Sequence, residues 1–243
     1  PTGSGKSTTL YAALQEIMSD SINITTVEDP VEYQIPGINQ IQVHDAIGLS
    51  FSAALRSILR QDPDVLLIGE IRDQETADIA VKFSMTGHLV FSTVHANDAP
   101  STISRLLDLG IPPFLLGSSL NLIMAQRLVR TIDPNEKEKD NPSSDKIKRL
   151  GISSDEANKI DFYKGRATQQ NHNTGYKGRT AIHEILEVNS SIREMIFEQK
   201  SESEIKNQAI KNGMTPLREA GIDKIKEGTS TVEEILRATV EDN

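Results

Sequence analysis

The chain begins Pro1-Thr2-Gly3-Ser4-Gly5-Lys6-Ser7-Thr8-Thr9, which follows the phosphate-loop pattern G-x-x-x-x-G-K-[ST] from its second position onward. Nothing else in the sequence constrains the fold as strongly, because such a loop joins a strand to a helix. Gly3 and Gly5, with Ser4 between them, lack a Cβ, so the backbone there can aim successive N–H groups into one concave nest. A helix N-terminus behind that nest favours an anion. Lys6 brings a point charge to the β- and γ-phosphates, and the Ser7 hydroxyl suits Mg²⁺, a hard cation that prefers oxygen. Gly3, Ser4, Gly5, Lys6, Ser7 and Thr8 are therefore the expected nucleoside triphosphate contacts. The run from Thr8 to Met18 reads as the required helix, with Leu10, Leu14, Ile17 and Met18 on one apolar face. The pattern's leading glycine and its strand would lie before Pro1, so the chain reads as part of a longer one, truncated at the first strand.

The first ~130 residues alternate strand-length apolar runs with helical patterns, the mark of an α/β sheet. Strands are expected at Ile22–Val27, Ile38–Val43, Val65–Glu70 and Leu89–Val94. Helices are expected at Thr8–Met18, Phe51–Arg60, Glu75–Met85 and Ala99–Leu109. The uninterrupted Val65-Leu66-Leu67-Ile68 suits a parallel strand covered on both faces. Residues 132–173 are rich in Lys, Glu, Asp, Asn, Ser and Pro, and read as an exposed, partly mobile insertion with a short helix near Asp155–Ile160. Residues 174–243 read as a mostly helical subdomain. Ser201 with Glu204 and Thr231 with Glu234 form capping boxes, and Asn212-Gly213 and Glu227-Gly228 are helix stops.

Composition narrows the class. The 243 residues are 37% hydrophobic, enough for one good core or two small ones. There is no cysteine, which excludes a disulfide scaffold and any thiolate metal site. No apolar run approaches the ~20 residues that span a bilayer. The net charge of −9 argues against a nucleic-acid surface, which needs clustered Lys and Arg.

Three further segments carry chemistry. Val65–Ile68 followed by Gly69-Glu70 is a hydrophobic strand ending in an acid, the Walker B arrangement. It places Glu70 at the carboxyl edge, where open α/β sheets bind ligands and where an acid holds a Mg²⁺-bound water. Glu28, Asp29 and Glu32 lie within Val27-Glu28-Asp29-Pro30-Val31-Glu32-Tyr33. Three like charges this close need a cation or arginine nearby, which makes them candidates for placing metal and attacking water. His88 and His95 bracket the strand after Thr86-Gly87. His95, at the carboxyl end, shares an edge with Glu70 and suits a γ-phosphate contact; His88, at the other end, suits a structural role.

In this order the acidic, Walker B and histidine segments resemble the secretion ATPases that drive type II secretion and assemble type IV pili. Leu55–Asp64 joined to Gly69-Glu70-Ile71-Arg72-Asp73, Ala125–Arg130 and Thr174–Thr180 are also similar to the family's sequences. The resemblance runs from Pro1 to about Asp242, nearest to the type II secretion branch, and is closer to assembly enzymes than to retraction motors. It implies a RecA-like core at 1–131 and an ATPase using ATP and Mg²⁺. It also implies a homo-hexamer on the cytoplasmic face of the inner membrane, acting on membrane platform and linker proteins and not on nucleic acid. Position by position, Lys6 and Ser7 would serve the phosphates and Mg²⁺, and Glu70 the metal–water shell. Glu32, with Glu28 and Asp29 nearby, would orient the attacking water, and His95 would contact the γ-phosphate.

The chain departs from the family in one place. Where many assembly ATPases carry two C-x-x-C pairs for zinc, it has Asp133 and Glu136, then Thr168 and Asn171, with His172 beside the second pair. A lobe that folds without zinc is expected. The family's arginines that complete the site come largely from an N-terminal domain, so this chain alone is expected to hydrolyse ATP poorly. A nucleic-acid translocase on the same core and a ring subunit that binds nucleotide without hydrolysing it are the competing readings.

Overall fold

The computed structural model describes residues 1–239. The chain runs through α1 (Lys6–Ile17), β1 (Ile24–Glu28), β2 (Asn39–Gln42), α2 (Phe51–Ile58) and β3 (Val65–Ile68), then α3 (Gln74–Met85), β4 (Leu89–Ser92), α4 (Ala99–Asp108) and α5 (Pro113–Ser119). There follow β5 (Leu122–Ile132), β6 (Lys137–Lys139), α6 (Ser144–Leu150), α7 (Ser154–Ala157), β7 (Tyr163–Gly165) and β8 (Tyr176–Glu187). The last helices are α8 (Ser190–Phe197), α9 (Glu202–Lys211), α10 (Leu217–Lys226) and α11 (Val232–Ala238). Two compact units result: Lys6–Ile123 with Glu187–Ala209, and Pro1–Gly5 with Met124–Leu186 and the chain from Ile210. These limits cut the chain elsewhere than the sequence-based limits at 131/132 and 173/174. Most of β5 joins the second unit, and α8 with most of α9 joins the first.

The first unit is built on a four-stranded sheet of order β2-β1-β3-β4, parallel throughout. All five residues of β1 and all four of β3 are buried, as parallel strands covered on both faces should be. On one face α1 packs Tyr11 and Leu14 against Ile24, Val65 and Leu67; each fully buried aliphatic side chain there contributes about 1.5–3 kcal/mol. Met18, expected on the buried stripe, is exposed, and Tyr11 is buried in its place. α3 and α4 start where side chains satisfy the free N–H groups of a first turn. Asp73 accepts from Thr76 N at 2.8 Å, and Asp98 forms a reciprocal capping box with Ser101. Because the four strands are parallel, their carboxyl ends share one edge, and α1, entering β1 by a short loop, points its N-terminus to that edge.

The second unit holds its own core of Val129, Ile147, Leu150, Ile182, Leu217, Ile225, Ile235 and their neighbours, around the paired strands β5 and β8. The segment at 132–173 is more ordered into elements than its composition suggests. β6 and β7 pair antiparallel, and Ile147 and Leu150, one turn apart on α6, bury a stripe in the core. Its short helix is α7, Ser154–Ala157. Gly165 and Gly175 cross so closely that a Cβ on Gly165 would lie 1.8 Å from the Gly175 carbonyl oxygen, leaving room for no other residue.

The four positions matching the family's cysteines meet through hydrogen bonds. Asp133, 3% exposed, accepts from Asn171 Nδ2 at 3.3 Å and from Asn135 N at 3.1 Å. Asn171 Oδ1 accepts from Thr168 N at 2.9 Å, and Glu136 pairs with Arg166 at 2.7 Å. Among the described residues no group of three or more His, Asp or Glu is placed to hold a metal ion. Thr231 caps α11 through Glu234 N at 3.1 Å. The Glu234 carboxylate does not turn back to complete the box; it meets Arg130 and Arg237 instead.

Candidate active site

The phosphate loop takes the backbone form its glycines permit, with φ of +76° at Gly3 and +88° at Gly5. Gln126 on β5 donates its Nε2 to the Ser4 carbonyl at 2.7 Å. A Cβ on Gly5 would stand 2.8 Å from that same nitrogen, so both the conformation and the space at Gly5 demand glycine. The Ser4 hydroxyl is buried and, among the described residues, meets no hydrogen-bonding partner. The helix starts at Lys6, immediately after the loop, so Lys6, Ser7 and Thr8 form its first turn.

In the first unit the carboxyl edge of the sheet gathers the remaining candidates. Gly69 N donates to Val27 O at 2.7 Å and Ile71 N to Thr93 O at 2.9 Å, stitching the chain beyond β3 to both neighbouring strands. The hydroxyls of Ser92 and Thr93 bond Ile68 O and Gly69 O at 2.8 and 2.7 Å. This backbone frame fixes Glu70, whose side chain is 12% exposed. Its carboxylate pairs with Arg72 and lies 3.3 Å from His95 Nε2. Glu70 in turn holds the Arg72 guanidinium still more firmly in its charged form, chiefly by that hydrogen bond. His95 thus stands beside Glu70, at the edge where strand position put it. His88 does not reach this edge: its ring stacks on Phe83 and its Nδ1 meets Thr86 Oγ1 at 2.8 Å, the arrangement of a structural histidine.

The three carboxylates at and after the end of β1 separate by environment. Glu28 is 4% exposed and its two oxygens are occupied. Tyr11 OH donates to one, while Thr26 Oγ1 at 2.5 Å and Gln40 Nε2 at 3.3 Å donate to the other. Asp29 and Glu32 are exposed, and the loop carrying Glu32 is held from below by Tyr11, Gln40 and Gln42. Sequence reasoning did not single out Tyr11, Gln40, Gln42 or Gln126. The signals available for the first two were a polar-tipped aromatic on the buried face of α1 and a glutamine one residue from the strand's end.

The set fits Mg²⁺-nucleotide. Ser7 and Glu70 are oxygen groups of the hard kind that ion takes, Ser7 for the ion itself and Glu70 for a water in its shell. The family model for type II/IV secretion system proteins matches residues 1–237. The chain belongs to that family. Type IV pilus assembly ATPase PilB of Myxococcus xanthus is 48% identical over 243 residues, 100% of this chain and 43% of that protein. Type II secretion system ATPase E of Vibrio cholerae is 47% identical over 241 residues, 99% of this chain and 47% of that protein. The two branches stand level, and this secretion-family chain spans less than half the length of either relative. Among solved structures, the crystal structure of the pilus retraction motor PilT with bound ADP covers 100% of this chain and 60% of its own, with TM-score 0.72 and 29% identity.

Proposed function

We propose that this secretion-family chain is the ATP-hydrolysing part of a cytoplasmic motor that powers type II secretion or type IV pilus assembly, on a RecA-like core. The observation that carries the reading is the meeting of Glu70, Arg72 and His95 at the carboxyl edge of a parallel sheet, the edge at which α1 presents Lys6 and Ser7. Relatives named as secretion and pilus-assembly ATPases from both branches support it, and a structural neighbour with ADP supports the nucleotide.

In this reading the glycine loop and Lys6 would hold the phosphates, Ser7 would hold Mg²⁺ and Glu70 a water in its shell, and the ion when bound would neutralise phosphate charge. Glu32, exposed and unburdened by the contacts that occupy Glu28, orients the attacking water. Glu28 serves by building the loop from below. His95 contacts the γ-phosphate. Phosphoryl transfer asks little covalent chemistry of the protein, so positioning and charge supply nearly all the rate.

The motor acts as a homo-hexamer at the inner membrane, reaching it through platform and linker proteins; among the described residues no helix is long and apolar enough to cross a membrane. Phosphate release by the full-length protein tests the proposal. Lys6→Ala abolishes turnover, and Glu70→Gln lowers kcat by about 100-fold or more while nucleotide still binds. Turnover that survives both substitutions refutes the assignment. Stimulation by single-stranded DNA would favour a nucleic-acid translocase instead.

A further inference from the structure

We infer that Tyr11 is a positioning residue for the proposed hydrolysis, its phenol joining the phosphate-binding helix to the acidic loop and setting where Glu32 presents its carboxylate. The inference rests on the ATPase reading above. Tyr11 is 1% exposed and its hydroxyl is used in both directions: it donates to Glu28 Oε2 and accepts from Glu32 N at 3.3 Å. Burial, with the Glu28 hydrogen bond behind it, pushes the phenol far above its usual range, so it remains a donor at any working pH.

The same loop is tied at each of the next steps. Gln42 Oε1 accepts from Val31 N at 3.3 Å, and Gln40 donates to Tyr33 O at 3.1 Å and accepts from Ile35 N at 2.6 Å. The Tyr33 ring meets Tyr11 edge-on, centroids 4.8 Å apart. The hydrogen bonds of residues 31–35 thus reference the loop to α1 and β2, and Ile35 anchors its end in the core with Ile24, Val65 and Leu67. Tyr11 lies five residues beyond Lys6 on one rigid helix, about 7.5 Å along its axis. A shift of α1 on phosphate binding thus reaches the Glu32 amide through one hydroxyl. A buried Tyr–Glu pair that merely satisfies a strand end would stabilise the fold without touching the chemical step, and the two roles are separable.

The test is Tyr11→Phe in the full-length protein, which keeps the ring and its packing and deletes only the hydroxyl. The expected result is a kcat for ATP lower by about fivefold or more, with KM for ATP and Kd for a fluorescent ADP analogue within about threefold of wild type. In a Glu32→Gln background the same substitution lowers kcat by less than about twofold further, because both changes remove one function. A smaller kcat effect, a loss carried by KM and Kd, or full multiplication with Glu32→Gln overturns the inference. Should Tyr11→Phe not fold, Gln40→Met removes the neighbouring tether and is held to the same three criteria. A wild-type protein without Lys6-dependent turnover would refute the ATPase reading itself, whereas an active wild type with an unaffected Tyr11→Phe refutes only the role of Tyr11.

Discussion

Glu234 offers the sharpest test of the packing in the second unit. Its side chain is fully buried at the start of α11, where Arg130 and Arg237 reach it at 2.7 and 2.6 Å and Arg130 N donates to it at 2.9 Å. Burial opposes ionisation of this carboxyl, but the hydrogen bonds from Arg237 and Arg130 overcome it and bring the pKa from 4.5 down to about 2. A pKa lower in the folded than in the unfolded chain means that stability rests on the ionised form. The contribution is present above pH 4.5 and is lost as pH falls toward 2. At about 1.4 kcal/mol per pH unit the gap is worth about 3 kcal/mol. Glu234→Gln imitates the protonated acid, keeping an acceptor for Arg130 N but no charge for either guanidinium. Both arginines are roughly half exposed and can rehydrate, so the cost should not exceed that figure. We expect Glu234→Gln to lose about 3 kcal/mol at pH 7, or about 12–24 °C in the melting temperature of a unit of this size. The difference from wild type should shrink steadily below pH 4.5. Urea titrations of both proteins from pH 7 to pH 3 measure it. A variant within about 0.5 kcal/mol of wild type at pH 7, or a gap that stays constant as pH falls, refutes the reasoning.

Two other substitutions probe the loop and the lobe. Gly5→Ala forces a Cβ to within 2.8 Å of Gln126 Nε2 at a φ of +88°, a strain of about 1–3 kcal/mol; nucleotide affinity in a fluorescence titration should fall about tenfold or more. Asn171→Ala strips Asp133 of a donor and leaves Thr168 N and Gly175 N unmet, at a cost of about 2–4 kcal/mol by chemical denaturation. A chelator, by contrast, should leave the wild-type melting curve unchanged; a drop would show that the lobe does depend on a metal.

The α/β half of the chain was legible because its elements are local. Val65–Ile68 is apolar without a break, and α3 and α4 carry their own caps at Asp73 and Asp98, so the four strands and four helices expected there are observed within two residues of their bounds, while α5 (Pro113–Ser119) was not expected. The edge shared by Glu70 and His95 followed from strand direction alone. The second unit was less legible. β5, a strand of eleven residues, went unread because its burial comes from partners far along the chain. The capping box expected at Thr231 and Glu234 is half present, since Arg130, 104 residues away, takes the carboxylate. Periodicity reports which side of an element is buried, not which distant group waits there.

The sequence by itself determined the glycine-loop motif, the alternating strands and helices from α1 to α4 and the set of acids and histidines from which the proposed site is drawn. Only the tertiary structure decided which of those acids is available. Glu28 and Glu32 are the same residue type four positions apart and are chemically equal in an extended chain. Folding buries one beneath Tyr11, Thr26 and Gln40 and leaves the other on the rim, and a carboxylate whose oxygens are already filled by fixed donors is not free to orient water.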